Sequence, residues 1–114
     1  MYTIGIEEEF FVFDARTRRA VRRADSRFFA RVRANLGDRV MTEMLQSQIE
    51  VATPPCATMA EARAHLACYR AALAEAAEAR SLGIAAMGTF PLAFWPEQEM
   101  TPKDGTAPSW KTCR

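Results

Sequence analysis

The chain has 114 residues, of which 49% are hydrophobic and 25% are charged, and its formal net charge is +1. This length and apolar content provide one modest core, so the chain can form at most one domain. The balanced charge disfavours nucleic acid or an anionic membrane as a partner. Three cysteines without C-x-x-C spacing disfavour a disulfide framework and a zinc site, and the absence of an apolar run that could cross a bilayer predicts a cytoplasmic location.

The first predicted element is a strand over residues 3–13, TIGIEEEFFVF, which carries three consecutive carboxylates in an apolar run. Side chains alternate along a strand, so Glu7 and Glu9 share one face, about 6.5–7 Å apart at Cα. Ionised carboxylates in apolar surroundings need a cation or a raised pKa, and Mg²⁺ prefers such hard oxygen ligands. The sequence therefore predicts a metal site on this face. The alternative is a strand end at which the glutamates are exposed to water. Glu8 falls on the opposite, apolar face, which is explained only if an arginine meets it.

Residues 14–37 predict a turn followed by a helix. Asp14 is a turn signal, and a short run near Val21 predicts a hairpin-like return of the chain. The arginines of residues 16–33 are typical of a solvated face, and RNA binding through them is the weaker alternative. The helix is predicted to begin at Asp25 or Ser26 and to end at Gly37, with an apolar stripe of Phe29, Val32 and Leu36.

A second strand is predicted from Met44 to the prolines at 54 and 55. In this strand Gln46, Gln48 and Glu50 share one face, and the opposite face carries Leu45, Ile49 and Val51. Two amides and a carboxylate in line form a polar row about 13 Å long, which suits a small molecule with an anionic or metal-bound centre. An antiparallel strand with one wet face explains the same pattern.

The longest predicted helix opens with a capping box, Thr58 and Glu61, and runs to about Leu82 with Gly83 as its C-cap. A short apolar strand, IAAMGTF, follows at residues 84–90. Helices that alternate with strands, together with a polar sheet face, predict an open two-layer α/β sandwich with the helices on one face.

Several motifs together resemble a known family. GIEEEF, LQSQIEVATP, the alanine-rich helix and MGTFP are similar, in this order, to the N-terminal region of the carboxylate-amine ligases of the glutamate-cysteine ligase type 2 family. The resemblance extends from Tyr2 to about Asp104. It implies an α/β (α+β) fold in which residues 1–104 form the N-terminal part of a glutamine synthetase-like antiparallel sheet with helices on one face.

The resemblance also implies an activity. Members of this family join a carboxylate to an amine with ATP: the γ-carboxylate of glutamate becomes an acyl phosphate, and the amine of cysteine or a similar nucleophile displaces phosphate. The implied cofactors are ATP and Mg²⁺, the implied metal ligands are Glu7, Glu9 and Glu50, and Gln48 is an implied substrate contact. No catalytic residue is assigned, and a homo-oligomer of the full-length protein is considered.

The chain departs from the family pattern at two places. Phe90 stands in MGTFP where members commonly carry histidine, which puts turnover in doubt. The family continues beyond this length and supplies the rest of the nucleotide site there, so the chain is expected to be truncated and inactive alone. Residues 105–114 have no periodicity, and we interpret them as an irregular, out-of-frame tail. The alternative function is a small non-catalytic α/β module that binds a ligand or partner on its polar face.

Overall fold

The structure is a computed structural model that describes residues 1–102, so the proposed out-of-frame tail lies outside the described residues. Within the described part the chain forms two helices, α1 and α2, and short 3₁₀ turns at Gly37–Arg39 and Trp95–Glu97. It also forms four strands, β1 to β4. The bounds in chain order are β1 Glu7–Asp14, α1 Ser26–Leu36, β2 Val40–Thr42, β3 Gln48–Ala52, α2 Met59–Glu78 and β4 Leu82–Ala86.

The strands form one sheet in the order β2-β3-β1-β4, and each neighbouring pair is antiparallel. Strand β1 is therefore central, with β3 on one side and β4 on the other. Both helices pack against the same face of this sheet. Neither helix covers the other face, which we call the open face. The predicted class, an α+β fold with an antiparallel sheet and helices on one face, is confirmed.

The main core lies between the sheet and the helices. Alternation along β1 sends Phe10 and Val12 into this layer, and alternation along β3 sends Ile49 and Val51. Helix α1 contributes Phe28 and Val32, whereas Phe29 and Leu36 of the predicted stripe are only partly buried at its margin. No helix within residues 1–102 has the length and apolar character needed to span a membrane.

Helix α1 begins and ends where its local signals predict. The Asp25 carboxylate accepts a hydrogen bond from the Arg27 N–H at 2.7 Å, and the chain leaves the helix at Gly37 with φ of 58°. Asp25 also accepts a hydrogen bond from Arg80 Nε at 3.0 Å, which ties the start of α1 to the turn that follows α2. These bonds lower the pKa of Asp25 below its usual value, and the bond from Arg80 has the largest effect.

A pH-dependent contribution to stability follows from this lowered pKa. A carboxylate whose pKa is lower in the folded state than in the unfolded state stabilises the fold above about pH 4, and the contribution disappears as the pH falls through the folded-state pKa. Asp25→Asn keeps a good N-cap but loses the charge, so we expect it to lower the thermal midpoint at pH 7. Below pH 4, the thermal midpoint of the variant should fall less steeply with pH than that of the parent. Thermal melts of both proteins between pH 2 and pH 7 measure this; parallel curves would contradict it.

Helix α2 has the predicted capping box at Thr58 and Glu61, but its predicted end is wrong. The helix stops at Glu78, and Ser81 adopts a left-handed φ of 54° that turns the chain into β4. Gly83 is not a C-cap; it lies in β4 opposite Phe13 of β1. A Cβ atom at Gly83 would overlap the Phe13 ring, so glycine is needed here for close packing.

Glu8 is met by an arginine, as its place on the helix-covered face requires. The guanidinium of Arg70 on α2 donates from Nε to one Glu8 oxygen at 2.9 Å and from Nη2 to the other. The Glu8 side chain is only 16% exposed, whereas that of Arg70 is 57% exposed. This bidentate pair fixes the start of β1 against α2.

The unequal exposure of this pair predicts unequal effects of breaking it. Arg70→Gln leaves a carboxylate that is mostly removed from water without its cation, whereas Glu8→Gln leaves an arginine that water can solvate. We expect Arg70→Gln to lower the thermal midpoint more than Glu8→Gln does, and the double variant to recover part of the loss. Melts of the three variants at pH 7 test this, and equal losses in both single variants would refute it.

Candidate metal centre

The open face of the sheet carries the predicted ligands at one end of β1 and β3. Because Glu8 and Phe10 point toward the helices, Glu7 and Glu9 point to the open side. Glu9 lies directly opposite Glu50 of β3 in the antiparallel register. Of the three predicted ligands, Glu9 and Glu50 therefore lie side by side on this face.

A third carboxylate, which the sequence analysis did not identify, completes the cluster. Oxygen atoms of Glu9, Glu43 and Glu50 all lie within 4.8 Å of one another. Glu7 lies one step further along the same face, opposite Ala52, and is outside this group of three. We call Glu9, Glu43 and Glu50 the acidic cluster; the role of Glu7 as a ligand stays a prediction.

The electrostatics of the acidic cluster suit a cation. Partial burial raises the pKa of Glu50, and the negative charges of Glu7, Glu43 and Glu9 raise it further. The cluster is therefore unfavourable when every member is ionised and no cation is near. Three carboxylates at this spacing are the hard oxygen donors that Mg²⁺ or Mn²⁺ prefers, so the residues present fit a divalent cation.

Glu43 belongs to the link between β2 and β3, which a neighbouring loop holds in place. Thr101 donates its N–H to the Met44 carbonyl at 2.8 Å and its hydroxyl to the Glu43 carbonyl. The Gln46 N–H bonds to the Glu99 carbonyl at 2.7 Å, and the Gln46 amide donates to the Met100 carbonyl at 2.9 Å. These bonds fix the backbone of the link that carries Glu43.

The same link corrects the predicted second strand. Strand β3 begins at Gln48, not Met44, so Gln46 is not part of a continuous polar row with Gln48 and Glu50. Leu45 packs against Phe11 and Phe90 on the open face, not with Ile49 in the main core. If the alternation of side chains is counted from Val40 of β2, rather than from Met44, Glu43 falls on the open face. This pattern would have identified Glu43 from the sequence.

A cavity of about 360 Å³ adjoins the acidic cluster on the open face. Half-buried Gln48, the predicted substrate contact, lines it, opposite Phe11 of β1. The loop after β4 contributes Phe90 and Trp95 to the lining of the cavity. Its role in binding substrate stays a prediction. Phe90, the departure from the family motif, is thus a wall of this cavity.

Comparison with known proteins identifies the family. The sequence profile of Glutamate-cysteine ligase family 2 (GCS2) matches residues 3–106. The chain belongs to this family. Family 2 membership agrees with the resemblance read from the motifs, and the matched residues include all of the described strands and helices and every member of the acidic cluster.

Curated members of family 2 are similar to this chain over nearly all of its length. Proteins named "Putative glutamate--cysteine ligase 2" from Chloroflexus aggregans and from Jannaschia sp. are each 41% identical over 103 residues, which is 90% of this chain. A relative of the same name from Bradyrhizobium sp. is 38% identical over 102 residues. The chain spans about a quarter of the length of these relatives: 26%, 27% and 25%, respectively.

Proposed function

We propose that this chain is part of an ATP-dependent carboxylate-amine ligase of the glutamate-cysteine ligase type. The observation that carries the proposal is that carboxylates from three segments meet on the open sheet face of a family 2 chain. The proposed reaction begins when a carboxylate of glutamate attacks the γ-phosphorus of ATP, which releases ADP and forms an acyl phosphate. The nitrogen of an amine then attacks the acyl carbon, phosphate leaves, and the nitrogen loses a proton.

The residues of the open face have distinct parts in this proposal. Glu9, Glu43 and Glu50 hold Mg²⁺, and Glu7 adds negative charge beside them. Bound Mg²⁺ supplies positive charge that neutralises phosphate oxygens during phosphoryl transfer. Gln48, two residues from Glu50 on the same face, presents an amide to the adjoining cavity, where it orients a polar group of the substrate.

The described residues supply part of this machinery, and the rest of the nucleotide site is proposed to lie outside residues 1–102. We therefore expect the 114-residue chain alone to bind Mg²⁺ weakly and to show no turnover. Tight, stoichiometric binding of ATP by the isolated chain would contradict this division of the site. A cytoplasmic location and a full-length homo-oligomer stay predictions.

Calorimetric titration with Mn²⁺ and Mg²⁺ tests the metal site. Glu43→Gln removes one carboxylate of the acidic cluster without changing the size of the side chain. We expect it to weaken metal binding roughly tenfold or more, because hard cations depend on the number of charged ligands. Glu78→Gln is the matched control: Glu78 is an exposed residue at the end of α2, and this variant should titrate like the parent.

The same titration separates the proposed ligase from the alternative, a non-catalytic α/β binding module. A module without a metal centre gives no saturable heat with either cation, or equal heats for Glu43→Gln and Glu78→Gln. Either result would remove the physical support for the ligase proposal, and only the family match would remain.

A further inference from the structure

The three members of the acidic cluster are not held in the same way. Glu9 and Glu50 lie in neighbouring strands, and the antiparallel register places them directly opposite each other. Glu43 follows the last residue of β2 and lies outside the ladder that pairs β2 with β3. Its place in the cluster therefore depends on other contacts of residues 43–47, which form the link between the two strands.

At the Glu43 end of the link, these contacts come from Thr101. The Thr101 hydroxyl donates a hydrogen bond to the Glu43 carbonyl, and the Thr101 N–H donates to the Met44 carbonyl at 2.8 Å. Thr101 is half-buried, so water competes only partly for these bonds. One residue thus fixes the backbone on both sides of the peptide bond that joins Glu43 to Met44.

The rest of the link is held by residues 98–100, and we call residues 98–101 together the clamp segment. The hydroxyl of fully buried Ser47 donates to the Gln98 side-chain oxygen at 2.6 Å. Gln46 bonds to the clamp segment through both its N–H and its side-chain amide, and Leu45 forms an isolated antiparallel bridge with it. Every residue of the link therefore contacts the clamp segment.

The clamp segment acts against a repulsion within the acidic cluster. Burial raises the pKa of Glu50, and the negative charges of Glu7, Glu43 and Glu9 raise it further. Without a cation, these charges favour a wider separation of the carboxylates. Because strand pairing fixes Glu9 and Glu50, the link is the part that can move. Ligands that are already held in place bind more tightly, since less freedom is lost on binding.

We propose that Thr101 is a positioning residue for the metal centre, and that its two hydrogen bonds to the link keep Glu43 in the acidic cluster. The inference rests on the proposed function and adds to it a residue that bonds to the backbone and not to a carboxylate. Coupling between two equilibria is reciprocal, so a bound cation in turn stabilises the contacts between the link and the clamp segment.

Thr101→Val and Thr101→Ser separate the hydroxyl from the shape of the side chain. Valine keeps the shape without the hydroxyl, and serine keeps the hydroxyl. In calorimetric titrations with Mn²⁺ we expect Thr101→Val to raise the Kd about three- to tenfold, the value of one hydrogen bond. Thr101→Ser should stay within twofold of the parent, as should the control Thr89→Val, at an exposed threonine of the same loop. Equal Kd values for the two valine variants, or no rescue by serine, would overturn the inference.

Glu43→Gln shows whether Thr101 acts through Glu43. Once the carboxylate is gone, there is no third ligand to position. Thr101→Val should then raise the Kd less than twofold further in the Glu43→Gln background. Losses that multiply in full would show that Thr101→Val loosens the fold in general, and they would overturn the inference.

Amide hydrogen exchange of the unsubstituted protein tests the reverse coupling and depends on no variant. Mg²⁺ at ten times its Kd should slow exchange of the Thr101 and Gln46 N–H groups about fivefold, because an open link leaves two carboxylates and binds the cation about tenfold more weakly. The Asp14 N–H, which donates to the Arg19 carbonyl at 2.9 Å beyond the far end of β1, is the control and should not slow. Equal changes at all three N–H groups would refute the coupling.

The parent titration separates failure of the inference from failure of the proposed function. If Mn²⁺ binds and Glu43→Gln weakens it, but Thr101→Val binds like the parent, the role of Thr101 is wrong and the proposed metal centre is retained. If the parent gives no saturable binding of Mn²⁺, both the inference and the proposed function are overturned.

Discussion

Glu50→Gln is expected to make the metal-free protein more stable and, at the same time, insensitive to Mg²⁺. Glu50 lies opposite Glu9, with Glu43 and Glu7 nearby, and these charges raise its pKa. Like charges directly opposite each other in a sheet destabilise it by roughly 0.2–1 kcal/mol, so glutamine at this position relieves a repulsion. A gain of about 1 kcal/mol corresponds to a rise in thermal midpoint of roughly 4–8 °C in a domain of this size.

The parent protein should respond to Mg²⁺ in the opposite way. A ligand at ten times its Kd stabilises the folded state by about 1.4 kcal/mol. Bound Mg²⁺ should therefore raise the thermal midpoint of the parent by about as much as Glu50→Gln raises it without metal. Thermal melts with and without Mg²⁺ measure both effects, with Glu78→Gln as the control for the loss of one surface charge. A lower midpoint for metal-free Glu50→Gln would show that Glu50 contributes to the fold and not to a cation site.

Gly83→Ala is expected to be strongly destabilising for a change of one methyl group. The new Cβ atom would overlap the ring of Phe13, which lies opposite Gly83 and packs on Phe90 at 5.9 Å between centroids. Overpacking of this kind typically costs about 1–3 kcal/mol, and here it displaces the ring that supports a wall of the cavity. Urea unfolding of the variant measures the loss.

Two further variants make this result specific. Gly88→Ala places a methyl group where nothing lies within 4 Å, so it should be close to neutral. Phe13→Ala removes the ring that clashes, so the double variant Phe13→Ala and Gly83→Ala should lose at least about 1 kcal/mol less than the sum of its single variants. Additive losses would mean that the two side chains do not compete for the same space.

The helix ends that depend on short-range interactions could be predicted from the sequence. The capping box at Thr58 and Glu61, the N-cap at Asp25 and the end of α1 at Gly37 each depend on residues a few positions apart, and all three are correct. Alternation along one strand likewise separated Glu8 from Glu7 and Glu9. It also identified Glu8 as a residue in need of a cation, although it could not identify Arg70, which is 62 residues away.

The features that the sequence did not predict depend on contacts between distant segments. Residues 44–47 look like the start of a strand, yet together with Glu43 they form the link between β2 and β3, which the loop near Thr101 holds by hydrogen bonds. Gly83 resembles a helix C-cap, but the Phe13 ring determines its place in β4. The cavity was not predicted because its walls come from β1, β3 and the loop after β4.

The central position of β1 has a consequence for how the chain folds during synthesis. Phe10 pairs with Ile49, and Val12 pairs with Ile84, so β1 leaves the ribosome well before its partner strands are synthesised. At about 5–20 residues per second, the apolar run of β1 remains without its full set of neighbours for several seconds. Pairing over such sequence separations is slow, and newly made chains should depend on chaperones until β4 has emerged.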